Sequence, residues 1–229
     1  MGAYSLMKVA VVGHGRSPEG KGFGSLIDSY DYVIRMWDWG WQDRKDYGEK
    51  YDFGLLEAHS SYMRDFSNHN KHTPSVGWIA SLVYNSPGKA NSAMRNCSLP
   101  PDTELFDQEP WVKVGQRMGG AGMTGRVKFT RGTLAALWAM ERVAPDELVL
   151  VGFDSVYLGH AQPTDEAFSK AYQASPGTFS FVHYNRTVML DGSTTKHGNH
   201  DYAVERPVLE KLAVENGVKL VFSQDVWVT

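Results

Sequence analysis

Short apolar runs recur along the chain, and most of them end in glycine or in polar residues. The first run, Lys8 to Val12, leads directly into Gly13, which is typical of a buried parallel strand followed by a turn. The same pattern predicts strands over Tyr32–Met36, Phe53–Leu56, Gly77–Tyr84, Glu147–Gly152, Thr178–Tyr184 and Val218–Phe222.

Helical periodicity appears between the later strands. Leu134, Leu137 and Trp138 fall at i, i+3 and i+4, which predicts a helix from Gly132 to about Ala144 that Pro145 ends. A second helix carries Leu209, Leu212 and Ala213 on one face. A short helix is expected between Gly13 and Ser29, and one helical turn within residues 160–176.

Strands that alternate with helices predict an α/β fold, a single Rossmann-like domain with a mostly parallel central sheet flanked by helices. We expect this domain to span residues 1–229. Residues 85–128 are rich in Asn, Pro and Gly and show little periodicity, so we interpret them as a loop, a lid or an acceptor-binding insertion. In such sheets ligands bind beyond the carboxyl ends of the strands.

Composition narrows the class of protein further. A net charge of −3 over 229 residues gives no electrostatic footprint for nucleic acid. The single cysteine, Cys97, excludes an internal disulfide and fits a reducing compartment. No apolar stretch approaches the roughly 20 residues of a membrane span, and the N-terminus has no signal-peptide pattern. We therefore expect a cytoplasmic protein.

The segment from Val11 to Gly24 is a glycine-rich turn between a strand and a helix, which suits an approach of backbone N–H groups to a phosphate. A dinucleotide fingerprint would need glycine where Pro18 stands. A P-loop pattern is nearly complete at Gly15 and Gly20-Lys21, but the next residue, Gly22, has no hydroxyl for Mg²⁺. A loop that binds nothing is the third interpretation.

A longer block, residues 9–38, resembles the large sialyl motif of the animal-type sialyltransferases, glycosyltransferase family 29. The matching positions are Gly13, the spacing of Gly20, Gly22 and Gly24, then Ile27-Asp28-Ser29, Asp31 and Val33-Ile34-Arg35-Met36. The match is long and ordered, so it is more specific than either phosphate-loop pattern.

Three further blocks resemble the family's other motifs in the same order. Phe129 to Asp154 is similar to the small sialyl motif, with Thr130, Gly132, Leu134 and Gly152-Phe153 in register. His183-Tyr184 resembles the third motif, and His200 with Glu205 resembles the very small motif, His-x4-Glu. Weaker similarity to the bacterial family 42 sialyltransferases rests on the Gly13-His14-Gly15 turn.

The resemblance implies a variant of the GT-A-like sialyltransferase fold and an inverting, metal-independent transfer. The donor would be a CMP-sugar carrying sialic acid or the related acidic sugar Kdo, and the acceptor a glycan or another hydroxyl compound; no cofactor is implied. No two Asp stand at i, i+2, so the Asp-x-Asp motif of many metal-dependent glycosyltransferases is absent from the sequence.

The resemblance also assigns roles to residues. His200 would be the general base, Glu205 would hold the local loop or helix start, and His183 with Tyr184 would contact the leaving phosphate. The remaining implied donor-binding residues are Gly13, His14, Gly15, Trp37, Thr130, Arg131, Gly132 and Thr133. Among them, Arg131 could pair with the sugar carboxylate.

Three positions depart from the family. His14 and Trp37 replace asparagines that contact the donor phosphate or ribose in the family, and Cys97 lies in neither of the motifs that the family joins by a disulfide. Two alternatives therefore stay open beside the leading interpretation. One is a P-loop-like nucleotide-hydrolysing or phosphoryl-transfer protein, and the other is a catalytically inactive protein that binds nucleotide-sugars.

Overall fold

A computed structural model describes residues 6–36, 42–57, 73–82, 99–100, 102–107, 109–119, 129–159, 196–197 and 200–227. The described strands are β1 (Lys8–Val12), β2 (Tyr32–Met36), β3 (Phe53–Glu57), β4 (Gly77–Leu82), β5 (Glu104–Asp107), β6 (Glu147–Val151), β7 (Lys196–His197), β8 (His200–Asp201) and β9 (Lys219–Phe222). The described helices are α1 (Gly24–Asp28), α2 (Arg44–Tyr47), α3 (Glu109–Arg117), α4 (Arg131–Trp138), α5 (Asp154–Leu158), α6 (Tyr202–Asn216) and α7 (Ser223–Val226).

Seven of these strands form one sheet in the order β5-β4-β3-β2-β1-β6-β9, and all of its pairings are parallel. The short strands β7 and β8 pair antiparallel with each other. The predicted mostly parallel α/β sheet is confirmed. The strand β1, which lies in the interior of the sheet between β2 and β6, is buried from Val9 to Val12, as its continuous apolar sequence requires.

The two faces of the sheet have separate apolar cores. Val9 and Val11 of β1 pack into the larger cluster, which includes the buried residues of α4 and α6. Ala10 and Val12 point to the opposite face and pack with Ile27 and neighbouring side chains. Successive side chains of a strand alternate between faces, so both cores depend on the unbroken apolar run of β1.

The strand order creates a crevice at one place in the sheet. From β1 the chain moves outward through β2, β3 and β4 to β5, and it then returns to β6 on the other side of β1. The connections that leave β1 and β6 therefore diverge at the carboxyl ends of these neighbouring strands. Open α/β sheets bind ligands at such a switch point.

Most of the predicted elements are confirmed, with small differences at their ends. β3 extends by one residue to Glu57, and β6 ends at Val151 because Gly152 turns the chain with φ at +66°. The predicted helix from Gly132 begins one residue earlier, and its last turn, Ala139–Val143, is a π-helix. The strand predicted over residues 178–184 and the helical turn within 160–176 lie outside the described residues.

The expectation of a loop throughout residues 85–128 is wrong for its middle part. Residues Glu104–Asp107 form the edge strand β5, which pairs with β4, and Glu109–Arg117 form the helix α3. The strand was missed because only Phe106 of its four residues is buried. The composition of the segment did not indicate the helix, because proline is typical of loops, although Pro110 fits the first turn of a helix.

Candidate active site

A cleft opens at the switch point between β1 and β6. Three segments supply most of its described lining: the turn after β1, the start of α4 and the residues that follow β6. The lining residues are Gly13, His14, Gly15, Met36, Thr130, Arg131, Gly132, Gly152, Phe153, Asp154, Ser155, Val156 and Tyr202. The cleft therefore brings together residues that are more than a hundred positions apart in the sequence.

The turns after β1 and β6 are in direct backbone contact. Gly13 N donates to Val151 O at 2.7 Å, and Gly15 N donates to Gly152 O at 2.8 Å. A Cβ at Gly15 would lie 2.6 Å from Gly152 O, and a Cβ at Gly152 would lie 2.9 Å from Gly15 O. Because any side chain would push the turns apart, the glycines are needed for the contact between them and for the shape of the cleft.

Asp154 anchors the turn that follows β1. Its Oδ2 accepts hydrogen bonds from Arg16 N at 2.7 Å and from Ser17 N at 3.0 Å, while its Oδ1 accepts one from Gln224 Nε2 at 2.9 Å. The sequence pattern placed Asp154 at the end of a strand but gave it no function. Its position directly after the Gly152-Phe153 pair was the available signal.

A second carboxylate holds the rest of the glycine-rich segment. Gly20 N and Gly22 N donate to Asp46 at 2.7 and 2.8 Å, and these two hydrogen bonds lower the pKa of the Asp46 carboxyl. Together with the bonds to Asp154, four backbone N–H groups of residues 16–22 are directed at protein carboxylates. In a P-loop these groups would cradle a phosphate, so the arrangement does not favour that alternative.

The start of α4 is fixed by a carboxylate of another helix. Thr130 caps α4 by accepting from Thr133 N, and Glu205 of α6 accepts from Thr130 N at 3.1 Å and from Thr130 Oγ1 at 2.7 Å. The Thr133 hydroxyl donates to the same carboxylate. Glu205 therefore holds the helix start that lines the cleft. Its side chain is itself buried and is not among the residues that line the cleft.

The environment of Glu205 favours its protonated form. Burial raises the pKa of Glu205 to about 7, the hydrogen bonds from Thr133 and Thr130 partly offset this, and the nearby Asp201 carboxylate raises the pKa further. The folded protein therefore binds a proton at Glu205 up to nearly neutral pH. In the unfolded chain this proton would dissociate near the ordinary carboxyl pKa of 4.5.

We expect the Glu205→Gln variant to lose a pH dependence of folding that the unmodified protein has. A pKa raised in the folded state stabilises the fold below pH 4.5, and this contribution is lost as the pH rises towards 7. Urea unfolding of the two proteins should show their difference in free energy of unfolding changing by about 3 kcal/mol between pH 4.5 and pH 8. Glu210→Gln, an exposed change on the same helix, is the control. If the free energy of unfolding has the same pH dependence in Glu205→Gln and in the unmodified protein, Glu205 is ionised to the same extent in the folded and the unfolded state.

The residues that match the large sialyl motif include Arg35 and Asp28, which form a charged network around the buried guanidinium. Arg35 of β2 is fully buried, and it donates to Tyr47 O at 2.7 Å and Lys50 O at 2.8 Å. Its Nη2 lies 3.9 Å from Asp28, whose carboxylate accepts the N–H groups of Glu49 and Lys50. Burial lowers the pKa of Arg35 to about 10, so the guanidinium stays charged at neutral pH. Asp28 and Arg35 thus hold the 47–50 loop.

Six of the predicted binding residues line the cleft together, namely Gly13, His14, Gly15, Thr130, Arg131 and Gly132. Thr133 lies behind them, where its hydroxyl contacts Glu205. The cleft is also lined by Met36, Phe153, Ser155, Val156 and Tyr202, which were not predicted as site residues because none of these residue types indicates a site by itself. Tyr202 is the first residue of α6 and lines the cleft. His200, the predicted base, precedes Tyr202 by only two residues in the chain.

The other predicted site residues are not described in the same detail. Trp37, His183 and Tyr184 lie outside the described residues, as does Cys97. For His200 the structure describes the backbone, which pairs with His197 and leads into α6. The roles predicted for these four site residues remain predictions.

In the part of the chain that the structure describes, no three His, Cys, Asp or Glu side chains are grouped so that they could bind a metal ion. Among the helices described above, none combines the length with the apolar character needed to cross a bilayer.

The fold is that of the solved sialyltransferases. The crystal structure of a mammalian sialyltransferase matches with a TM-score of 0.51 and 18% identity, covering 94% of this chain and 69% of that one. Two enzymes from Campylobacter jejuni also match. The sialyltransferase CstII, in complex with the substrate analogue cytidine-5′-monophosphate, gives a TM-score of 0.54 at 16% identity, covering 96% of this chain and 81% of that one. The monofunctional α-2,3-sialyltransferase Cst-I gives 0.55 at 13%, covering 95% and 75%.

The sequence is also similar to a family of sialyltransferases. The family model for glycosyltransferase family 29 (sialyltransferase) matches residues 1–107, a span that contains the block resembling the large sialyl motif. None of the curated proteins matches the chain. The resemblance predicted from the sequence is therefore confirmed over these residues. The family match over residues 1–107 supports a sialyltransferase-like glycosyltransferase, and the solved structures show that the fold is shared.

Proposed function

We propose that the protein transfers an acidic sugar, sialic acid or Kdo, from a CMP-sugar donor to an acceptor hydroxyl with inversion and without a metal ion. The observation that carries this proposal is the cleft at the switch point, where the Gly13–Gly15 turn faces the start of α4. The similarity to a Campylobacter sialyltransferase in complex with cytidine-5′-monophosphate supports CMP as the nucleotide. The match to family 29 supports sialyl transfer.

The cleft has features that suit an anionic donor. The N-terminal end of α4 carries the positive end of the helix dipole, and Arg131 adds a full positive charge at the same place. The Gly13–Gly15 turn has no side chains except that of His14, so a ligand can approach its backbone closely. In this arrangement the CMP phosphate lies between the turn and α4, and Arg131 pairs with the carboxylate of the sugar.

The transfer step requires a base and a stabilised leaving group. His200 removes the proton of the acceptor hydroxyl as its oxygen attacks the anomeric carbon, and the bond from that carbon to the CMP phosphate breaks. The electron pair of this bond leaves on CMP, where His183, Tyr184 and the start of α4 stabilise the phosphate charge. Glu205 does not touch the reacting atoms in this scheme; it positions Thr130 and Thr133 at the helix start.

Arg131→Ala should weaken binding of the intact donor more than binding of CMP alone. CMP has no sugar carboxylate, so a contact from Arg131 to that group contributes only to the complex with the CMP-sugar. Calorimetry should show about tenfold weaker binding of a non-transferable CMP-sialic acid analogue, and CMP affinity changed by less than about threefold. Arg117→Ala, on the exposed surface of α3, is the matched control. Equal losses for both ligands would place Arg131 at the phosphate instead.

The reaction itself is tested by release of CMP. We expect the protein with CMP-sialic acid or CMP-Kdo and a mixture of glycan acceptors to release CMP at the same rate with Mg²⁺ and with EDTA. Turnover that requires Mg²⁺, or hydrolysis of ATP in preference to CMP-sugars, would support the phosphoryl-transfer alternative. Tight binding of CMP with no turnover of any CMP-sugar would identify a nucleotide-sugar binding protein, the alternative that His14 and Trp37 suggest.

Residues 85–128, interpreted from the sequence as an insertion, are the region that we connect with selection of the acceptor. Within residues 85–128 the described strand β5 forms one edge of the sheet, and α3 follows it directly. We propose that this region selects the acceptor, since the cleft residues on the β1 and β6 side are taken up by donor binding. Replacing residues 85–98 should then change which acceptor is used and leave CMP affinity intact.

A further inference from the structure

The C-terminal segment of the described chain contacts the turn that lines the cleft. In this segment, Gln224 of α7 donates through Nε2 to Asp154 Oδ1 at 2.9 Å and to Ser17 Oγ at 3.2 Å. The other oxygen of Asp154 accepts Arg16 N and Ser17 N. One carboxylate and one amide therefore connect the turn after β1, the residues after β6 and α7.

Two residues that follow Gln224 also hold the segment. Trp227 packs edge-on against Phe23 with ring centroids 5.1 Å apart, and its ring lies 6.4 Å from that of Tyr30. The Tyr157 hydroxyl donates to Asp225 at 2.6 Å. These contacts fix α7 independently of Gln224, so a change at residue 224 can be tested without displacing the helix.

The charge of Asp154 explains why this connection matters for an anionic ligand. Asp154 lines the cleft, and an ionised carboxylate there repels a phosphate or a sugar carboxylate. Both of its oxygens accept hydrogen bonds in the structure, two from the turn and one from Gln224. These bonds direct the carboxylate towards the protein, and hydrogen bonds to a charged group are stronger than those between neutral groups.

We propose that Gln224 is a positioning residue for donor binding: through Asp154 and Ser17 it fixes the turn after β1 in the conformation that accepts CMP. The inference rests on the proposed function for the identity of the ligand. The connection between Gln224 and the turn does not depend on that function, because it is a property of the protein without ligand.

The test measures the turn and the ligand separately. Two variants are compared. Gln224→Ala removes the amide that donates hydrogen bonds to Asp154 and Ser17, and Gln224→Glu places a second carboxylate beside Asp154. Val226→Ala is the matched control, since Val226 belongs to the same helix and is 54% exposed. NMR hydrogen exchange of the Arg16 and Ser17 amides reports on the turn, amides of β1 report on global opening, and calorimetry with CMP reports on the ligand.

We expect Gln224→Ala to exchange the Arg16 and Ser17 amides about tenfold faster and to bind CMP about tenfold more weakly, with the amides of β1 unchanged. In transfer assays its KM for the CMP-sugar should rise while kcat is kept. Gln224→Glu should bind CMP more weakly still, and Val226→Ala should behave like the unmodified protein.

Two results would overturn the inference. Unchanged exchange at Arg16 and Ser17 in Gln224→Ala would show that Gln224 does not hold the turn. Faster exchange there with unchanged CMP affinity would show that the held turn is not part of donor binding. If the unmodified protein itself binds no CMP, the proposed function fails, and the exchange measurement alone decides whether Gln224 positions the turn.

Discussion

Replacing Arg35 by alanine should lower the free energy of unfolding by about 3 kcal/mol or more, which is a large part of a typical domain's stability. The guanidinium is fully buried and donates to Tyr47 O and Lys50 O, and its charge lies near Asp28. Truncation leaves two carbonyl groups without this donor and opens a cavity beside β2. Removing one partner from a buried polar network costs far more than removing an exposed one.

The matched control for this prediction is Arg44→Ala. Arg44 also pairs with a carboxylate, that of Glu49 at 2.8 Å, but its side chain is 65% exposed. Exposed ion pairs contribute about 0–1 kcal/mol. Urea unfolding should therefore show a large shift for Arg35→Ala and almost none for Arg44→Ala. If Arg35→Ala lowers the free energy of unfolding by less than about 1 kcal/mol, Arg35 does not stabilise the fold, and its role would be in ligand binding.

Replacing His200 by alanine should lower turnover of the CMP-sugar about 10²-fold or more and leave CMP affinity within about threefold. A general base acts on the acceptor proton, so its loss raises the barrier to transfer without removing a contact to the nucleotide. The measurement is kcat from CMP release, with calorimetry of CMP on the same preparation.

His197→Ala is the control for this second variant, because His197 pairs with His200 across the β7–β8 bridge but has no counterpart in the His-x4-Glu motif. Activity close to that of the unmodified protein is expected for His197→Ala. Near-full turnover in His200→Ala would exclude His200 as the base. A loss of CMP affinity equal to the loss of turnover would make His200 a binding residue.

The apolar runs were enough to predict the interior strands of the sheet, because strands buried on both faces are continuous runs of apolar residues. Lys8–Val12 and Tyr32–Met36 have the predicted bounds, and the helix at Gly132 begins within one residue of its prediction. The edge strand β5 was not predicted, since an edge strand buries few of its residues and its sequence alternates weakly. Local patterns therefore describe the centre of this fold better than its edge.

The candidate site was predicted in part, and for a partly different reason. The sequence analysis assigned the glycines of the first turn to the approach of a phosphate. In the structure, Gly13 and Gly15 are also required by the contact with Gly152, which lies far along the chain. The resemblance to a family assigned these glycines to a binding site, and the structure shows that they line one cleft. The pairing of the two turns is a property of the folded sheet.

The contacts made by the carboxylates that support the site could not be found from the sequence. Asp154 accepts N–H groups from residues 137 and 138 positions away, and Glu205 contacts threonines more than 70 positions away. No local pattern encodes such distances. The His-x4-Glu spacing did indicate Glu205, but it predicted that Glu205 holds the loop or helix start near His200, whereas the carboxylate contacts Thr130 and Thr133 at the start of α4.

The measurement that tests the central claim most directly is thermal unfolding of the protein with CMP, UMP and ATP, each with Mg²⁺ and with EDTA. A ligand at 100 times its dissociation constant adds about 2.7 kcal/mol to the stability of the folded state, which a melting shift reveals. The proposed cleft predicts stabilisation by CMP that is the same in EDTA and stronger than that by UMP or ATP. Stabilisation only by ATP with Mg²⁺, or no stabilisation by CMP, would contradict it.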